Sequence, residues 1–155
     1  MAETQSVASF GTILAMGADP TKALLADTYT DIIEMHDLSG PGLEMSTIEA
    51  THHLSPDATR EHTASLKDLT EMTFEIAFLP QEGTHGLTSG FLKAWQDRER
   101  VNWKLTFTDA AATTWGVKGF VTGFEIGAPL EGLLTANVTI KLTGTIYEDL
   151  VYVPA

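Results

Sequence analysis

The sequence contains no cysteine and few cations. Without cysteine, the fold cannot rest on disulfides or thiolate metal sites, and nothing requires an oxidising compartment. Nine lysines and arginines stand against 21 aspartates and glutamates, so the formal net charge is −12. Because DNA binding depends on cations that replace counterions, this acidity argues against a protein that grips nucleic acid. Contact with DNA remains compatible with the sequence if that contact is repulsive.

Long apolar runs are also missing. No stretch approaches the roughly 20 residues that a membrane-spanning helix needs. Residues 1–6 lack the basic and apolar blocks of a secretory signal. We therefore expect a soluble, intracellularly made chain without membrane insertion. Its 155 residues suit one domain, 1–155.

Alternation of apolar and polar residues predicts a mainly β protein. One amphipathic helix is expected over about 86–99, from the helical spacing of Leu87, Phe91, Ala94 and Trp95. We expect an α+β fold, an antiparallel β-sandwich or half-barrel with this helix packed on it. The predicted strands cover 10–16, 28–36, 44–50, 73–78, 101–107, 115–126 and 136–142, with a further edge over 146–153.

Two finer expectations concern packing. In the 115–126 strand the inward parity shifts between Val117 and Phe120, which neighbouring glycines can absorb as a bulge. All three tryptophans, Trp95, Trp103 and Trp115, occupy apolar positions of their elements and are expected in the core.

The segment 38–72 differs from the rest of the chain. It has turn chemistry and no long apolar stretch, and its one strand-like run alternates weakly. A connection that long inside a small domain is usually functional or disordered. We interpret 38–72 as a long loop or arm that contacts other subunits, and 1–9 as a flexible N-terminal arm.

Residues capable of chemistry form no recognisable catalytic or metal site. His52 with Glu61 or His62 is a conceivable metal pair, but these residues lack the i, i+4 spacing of a helical zinc site. No nucleophile, base and orienting group can be nominated together, so we expect neither an enzyme nor a cofactor. The histidines are interpreted as solvated loop residues: His36, His52, His53, His62 and His85.

The order of several short segments resembles the major tail tube proteins of long-tailed, siphovirus-type bacteriophages with non-contractile tails. Ser65 and Thr70 depart from that pattern, which often has glycine at these two places. The segments that carry the resemblance are Phe10-Gly11-Thr12-Ile13-Leu14, Leu38-Ser39-Gly40-Pro41-Gly42, Ile48-Glu49-Ala50-Thr51-His52-His53, Arg60-Glu61, Leu66-Lys67-Asp68 and Val138-Thr139-Ile140-Lys141-Leu142-Thr143-Gly144.

This resemblance implies a virion protein of the tail, assembled in the bacterial host cytoplasm as hexameric rings that stack around a lumen. It implies tape measure, tail-tip and terminator proteins as partners, and double-stranded DNA that passes without specific binding. The residues expected at the interface between subunits are Glu49, Thr51, His52, His53, Arg60, Glu61, Leu66, Lys67 and Asp68.

If polar strand faces line such a lumen, their carboxylates would repel the phosphates of DNA and let it slide. The candidates for this role are Asp31, Glu34, Glu125 and Glu148, because each interrupts a strand-like segment.

Two alternatives stay open. One is a stand-alone acidic β-sandwich binding module, which predicts a stable monomer. The other is the tube protein of a contractile tail or of a type VI secretion-like system, which shares the architecture but must also fit a sheath.

Overall fold

The computed structural model describes residues 6–19, 21–24 and 26–148. No helix in these ranges is long and apolar enough to cross a membrane. The elements are strands β1 (Ile13–Gly17), β2 (Tyr29–Asp31), β3 (Met35–Ser39), β4 (Leu43–Glu49), β5 (His62–Leu69), β6 (Glu71–Ala77), β7 (Arg100–Thr106), β8 (Thr114–Gly127) and β9 (Thr135–Glu148), with helix α1 (Phe91–Asp97) and a 3-10 turn (Pro56–Ala58).

Seven strands form one antiparallel sheet in the order β2-β1-β7-β8-β9-β6-β3, while β4 and β5 form a separate ribbon. The edge strands β2 and β3 are consecutive in the chain and are joined only by residues 32–34. Four Cα–Cα steps reach about 15 Å at most, so the sheet must curl until its two edges lie close together. The expected antiparallel half-barrel with one helix is confirmed.

The core lies on the concave side of this sheet and is anchored by Phe91 of α1. Its ring contacts the rings of Phe74 and Trp103, with centroids 5.6 and 6.2 Å away. Phe91 and Trp103 have no solvent exposure. Strict alternation places Met72, Phe74 and Ile76 of β6 inward, as it does Ala136, Val138, Ile140 and Leu142 of β9. The helix is therefore held to the sheet by stacked aromatic rings.

The helix is shorter than its sequence pattern suggested. Residues 80–90 form turns, and α1 begins only at Phe91. A side chain at Gly90 would lie 2.3 Å from the Thr84 carbonyl oxygen, so the turn packs tightly on the helix start. Only Phe91 and Ala94 of α1 are buried, and Trp95 is 56% exposed. The expectation of a core position for Trp95 was wrong, because a two-turn helix buries a narrow stripe.

His85 is a core residue, which corrects its interpretation as a solvated loop histidine. Its ring is completely buried and stacks on Phe91, with centroids 5.6 Å apart. The Leu79 amide donates to its Nδ1 over 3.1 Å. Burial lowers the pKa of His85, against smaller opposing effects of the Ile33 carbonyl and nearby carboxylates. The imidazole thus serves as a neutral packing group.

Three boundaries differ from expectation for local reasons. The predicted 28–36 strand is divided into β2 and β3, because Glu34 adopts a φ of 56°. The β8–β9 register shifts twice, between Gly116 and Lys118 and between Val121 and Gly123; Val117 and Val121 are both buried, whereas Phe120 points outward. Tyr147 extends β9 along β8 instead of starting another edge, and 149–153 lie outside the described residues.

The aromatic stack predicts opposite effects for two large residues of α1. Phe91→Ala should lower the free energy of unfolding by about 3–5 kcal/mol, since it leaves a cavity among three rings. Trp95→Ala should change it by less than about 1 kcal/mol, since that side chain is largely solvated. Urea unfolding followed by circular dichroism measures both. Equal losses would contradict the assignment of Phe91 as the anchor.

Candidate assembly surface

The β4–β5 hairpin, residues 43–69, projects from the sheet and is called the arm below. Every residue of β4 is exposed, and Leu69 is the only buried residue of β5. Two strands without a covering layer are marginally stable in water. The arm also exposes apolar side chains, between 54 and 86% of each: Leu43, Met45, Ile48, Leu54 and Leu66.

The arm corrects the expectation of a long loop over 38–72. The weak strand predicted at 44–50 is confirmed as β4, but β5 was missed. A strand exposed on both faces has no need to alternate apolar and polar residues, so its sequence carries no clear period. The segment is therefore an ordered ribbon with a tip at 50–61.

Two glycines fix the direction in which the arm leaves the sheet. Gly40 has a φ of +99°, and a Cβ there would lie 2.5 Å from the Glu71 carbonyl oxygen. A Cβ on Gly42 would lie 2.0 Å from Thr70 Oγ1. The Thr70 amide donates to the Gly42 carbonyl over 2.9 Å, which ties the two ends of the arm together. The base of the arm is thus a close-packed junction.

The tip is folded on itself by a hydrogen-bond network. Ser55 Oγ accepts from the His52 amide at 3.0 Å and donates to Glu61 Oε2 at 2.6 Å. His52 Nδ1 accepts from the Leu54 amide, so a neutral ring carries its proton on Nε2, which lies 3.5 Å from Glu61 Oε2. Thr51 Oγ1 accepts from the Glu61 amide at 3.0 Å.

The structure thus brings His52 and Glu61 together, as the sequence suggested they could meet, in a hydrogen-bonded turn. No group of three or more metal-binding side chains occurs in the described part of the chain. With the tip held internally, Leu54 stands at its surface with 86% of its side chain exposed. The tip therefore presents one exposed leucine on a turn that hydrogen bonds between polar groups hold in place.

All the residues predicted at a subunit interface lie on this arm. Glu49 pairs with His62 at its outer end, and Leu66, Lys67 and Asp68 are exposed on β5. The remaining predicted residues belong to the tip: Thr51, His52, His53, Arg60 and Glu61. The exposed Met45, Ile48 and Leu54 were not singled out from the sequence, because scattered apolar residues carry no signal until a fold leaves them unburied.

Comparison with known protein families decides the identity. Residues 13–148 match the family model described as "Lambda phage tail tube protein, TTP". The chain belongs to this tail tube protein family. A search of curated protein sequences found no match.

Solved structures share the fold of this tail tube protein. A chain of the anti-feeding prophage baseplate, in a sixfold-symmetrised reconstruction, has a TM-score of 0.67 and 11% identity, covering 95% of this chain and 97% of that chain. A chain of the extended sheath-tube complex of an extracellular contractile injection system (PVC) has a TM-score of 0.66 and 14% sequence identity. The match covers 95% of this chain and 93% of that chain. A chain from the tail of an empty gene transfer agent particle, refined with C6 symmetry, has a TM-score of 0.63 and 12% sequence identity. The match covers 86% of this chain and 93% of that chain.

The curled sheet of the tail tube protein is open along one seam. Within the described residues, β2 pairs only with β1 and β3 only with β6, so each leaves an unpaired edge. Between β1 and β3 lies a cavity of about 1260 Å³, lined in part by Phe10, Ile13 and Leu38. Unpaired edges are templates for strands of another chain.

The four carboxylates proposed for a lumen are not brought together. Asp31 ends β2 in register with Ala15, which also pairs with Lys104. Glu125 projects from the convex face of β8, in register with Asn137, and Glu34 occupies the turn between β2 and β3. The backbone of Glu148 ends β9, but its side chain lies outside the described residues.

The tip network predicts a local effect of one hydroxyl. Ser55→Ala should speed hydrogen exchange of the His52 amide about fivefold, since that amide loses a bond of roughly 1 kcal/mol. The exchange is measured by mass spectrometry or nuclear magnetic resonance. Ser46→Ala, an exposed serine of β4, is the matched control and should leave the exchange unchanged. An unaffected His52 amide in the Ser55 variant would show that the tip is held by other contacts.

Proposed function

We propose that this tail tube protein forms hexameric rings that stack into the tube of a siphovirus-type tail, the conduit through which DNA is ejected. The arm is the observation that carries the proposal. It is ordered and extended, and five of its apolar side chains are more than half exposed although Leu69 at its base is buried. Exposed apolar side chains grouped on one projecting element are typical of an association surface.

The physics of closed assembly supports rings. A heterologous contact between identical subunits closes into a ring when its rotation fits, and stacking of rings continues until another protein stops it. Sixfold symmetry is supported by the baseplate and gene transfer agent structures, whose reconstructions use it. The open seam gives neighbouring copies strand edges to pair with.

The same proposal assigns the remaining partners. A tape measure protein would fix tube length, tail-tip proteins would nucleate the first ring, and a terminator would close the last one. Double-stranded DNA would pass through the lumen without specific binding, in a virion tail assembled in the host cytoplasm.

A sheathed tube is the second candidate function. The likeness to the sheath-tube complex of a contractile injection system favours it, since that chain covers 95% of this one. The sequence resemblance to non-contractile tails favours an unsheathed tube. Binding of a contractile-tail sheath protein to assembled tubes would support the sheathed alternative.

Assembly should depend on the apolar side chains of the arm. Leu66→Asp should raise the protein concentration needed for ring or tube formation at least about tenfold, because a buried unpaired charge is costly. Native mass spectrometry and negative-stain imaging measure this, in enough salt to screen repulsion between subunits of net charge −12.

Leu130→Asp is the matched control. Leu130 is fully exposed in the loop between β8 and β9, away from the arm, and this variant should assemble normally. A wild-type chain that stays a monodisperse monomer at high concentration, even with a tail-tip nucleator, would instead support the stand-alone binding module.

We further propose that the end of the sheet that carries Glu125 faces the lumen. Glu125 and Glu75 flank Asn137 in one row across β8, β9 and β6, so two carboxylates lie close together on the convex face. Negative side chains there would repel DNA phosphates and prevent adhesion.

Reversing one of these charges should slow DNA passage. Particles whose tails are built from Glu125→Lys should eject DNA more slowly than wild type in a fluorescence ejection assay, because lysine attracts phosphate. Glu99→Lys makes the same change of charge between α1 and β7, near Lys93 of the helix, and should eject normally. Unchanged ejection in the Glu125 variant would place that carboxylate away from the lumen.

A further inference from the structure

Four of the nine cations in this acidic chain lie on one surface, the convex face of β7, β8 and β9. Phe120 lies in register between Arg100 and Lys141, and Lys118 lies in register with Asn102. Residues in register share a face, and diagonal neighbours are about 7–8 Å apart. Lys118 is therefore diagonal to three other cations. This cationic face consists of Arg100, Lys104, Lys118 and Lys141.

The cations of this face have no ion-pair partner among the described residues. The ion pairs there join His36 with Glu75, His52 with Glu61, and Lys93 with Asp97. Lys104 Nζ lies 5.2 Å from the centroid of the Tyr29 ring and forms no ion pair there. The nearby Asp27 carboxylate accepts from the Asn102 side-chain amide over 3.0 Å and pairs with none of these cations. Glu71 stands in register with Lys141, but their charged groups are not in contact. Like charges gathered on a sheet repel one another unless something of opposite sign covers them.

Aromatic side chains occupy the same surface. Phe120 is 40% exposed between Arg100 and Lys141, and Tyr147 is 53% exposed in register with Gly116, which leaves space beside its ring. Exposed aromatic rings surrounded by cations suit a partner that carries both carboxylates and apolar side chains. Phosphates of duplex DNA would use the cations but not the rings, so a protein partner fits better.

The arm of the same protein carries the complementary groups. Glu44 lies directly opposite Asp68 in the β4–β5 ladder, and neither has an ion-pair partner in the described chain. Two carboxylates directly opposite each other destabilise a hairpin unless a cation approaches. Exposed Leu66 lies two residues from Asp68 on the same face of the ribbon. The arm thus offers carboxylates and an apolar side chain to the cations and aromatic rings of the cationic face.

The arm does not cover the cationic face of its own chain. All of β4 stays exposed, and so do Phe120 and Lys141. We infer that the cationic face of one copy is the docking surface for the β4–β5 arm of a second copy. This inference deepens the proposed self-assembly by naming the surface that receives the arm. It is compatible with a lumen at Glu125, which is seven residues, or about 23 Å, along β8 from Lys118.

Charge reversal on both surfaces tests the inference. The face variant Lys118→Glu/Lys141→Glu and the arm variant Glu44→Lys/Asp68→Lys should each raise the concentration needed for tube formation at least about tenfold. The variant that combines all four substitutions again has opposite charges on the two surfaces and keeps the net charge of the wild type. The concentration it needs for tube formation should therefore lie within about threefold of the wild-type value. Sedimentation velocity measures assembly, and circular dichroism checks that each variant is folded.

The control Lys93→Glu/Arg98→Glu makes the same change of net charge at cations of α1 and its C-terminal end, off this face, and should assemble like wild type. Normal assembly of the face variant would overturn the inference, as would a combined variant that folds but does not regain assembly. If the face variant assembled normally but lost weak retention of duplex DNA, the surface would belong to DNA. Failure of the wild-type chain to assemble would instead refute the proposed function.

Discussion

A two-stranded ribbon gains little stability alone, and within the described residues only Leu69 of β4 and β5 is buried. The seven exposed residues of β4 and the exposed Leu54 and Leu66 keep their apolar surface in water as long as the chain is alone. Yet Gly40 and Gly42 fix the base of the arm, and Ser55 with Glu61 folds its tip. The arm is therefore an ordered element whose exposed apolar side chains we expect to be buried by other copies.

Charge is distributed in a way that suits such an assembly. A net charge of −12 opposes association of free subunits, whereas cations concentrate where β7, β8 and β9 meet. The carboxylates Glu75 and Glu125 lie together nearer the other end of the same convex face. One sheet can thus offer a surface that attracts an acidic arm and a separate surface that repels DNA.

The sequence predicted those elements whose burial repeats regularly. Strands β6, β7 and β9 were found because one face of each is buried, so apolar residues recur at every second position. β5 was missed because neither face is buried, and Trp95 was misplaced because α1 starts at Phe91. The cationic face could not be predicted from the sequence. Arg100, Lys118 and Lys141 belong to three different strands, and only the fold defines how these strands align. His52 and Glu61 were noticed as a pair, but their shared partner Ser55 was not.

The central claim is that the arm is buried only by another copy of the chain. Helical reconstruction of assembled tubes by electron cryo-microscopy tests it most directly, by measuring the exposure of Leu54 and Leu66 in the tube. We expect both side chains to be packed against a neighbouring subunit, with the β4–β5 ribbon lying on the convex face of β7–β9. Tubes in which the arm remains in solvent, or folds back onto its own sheet, would contradict the account.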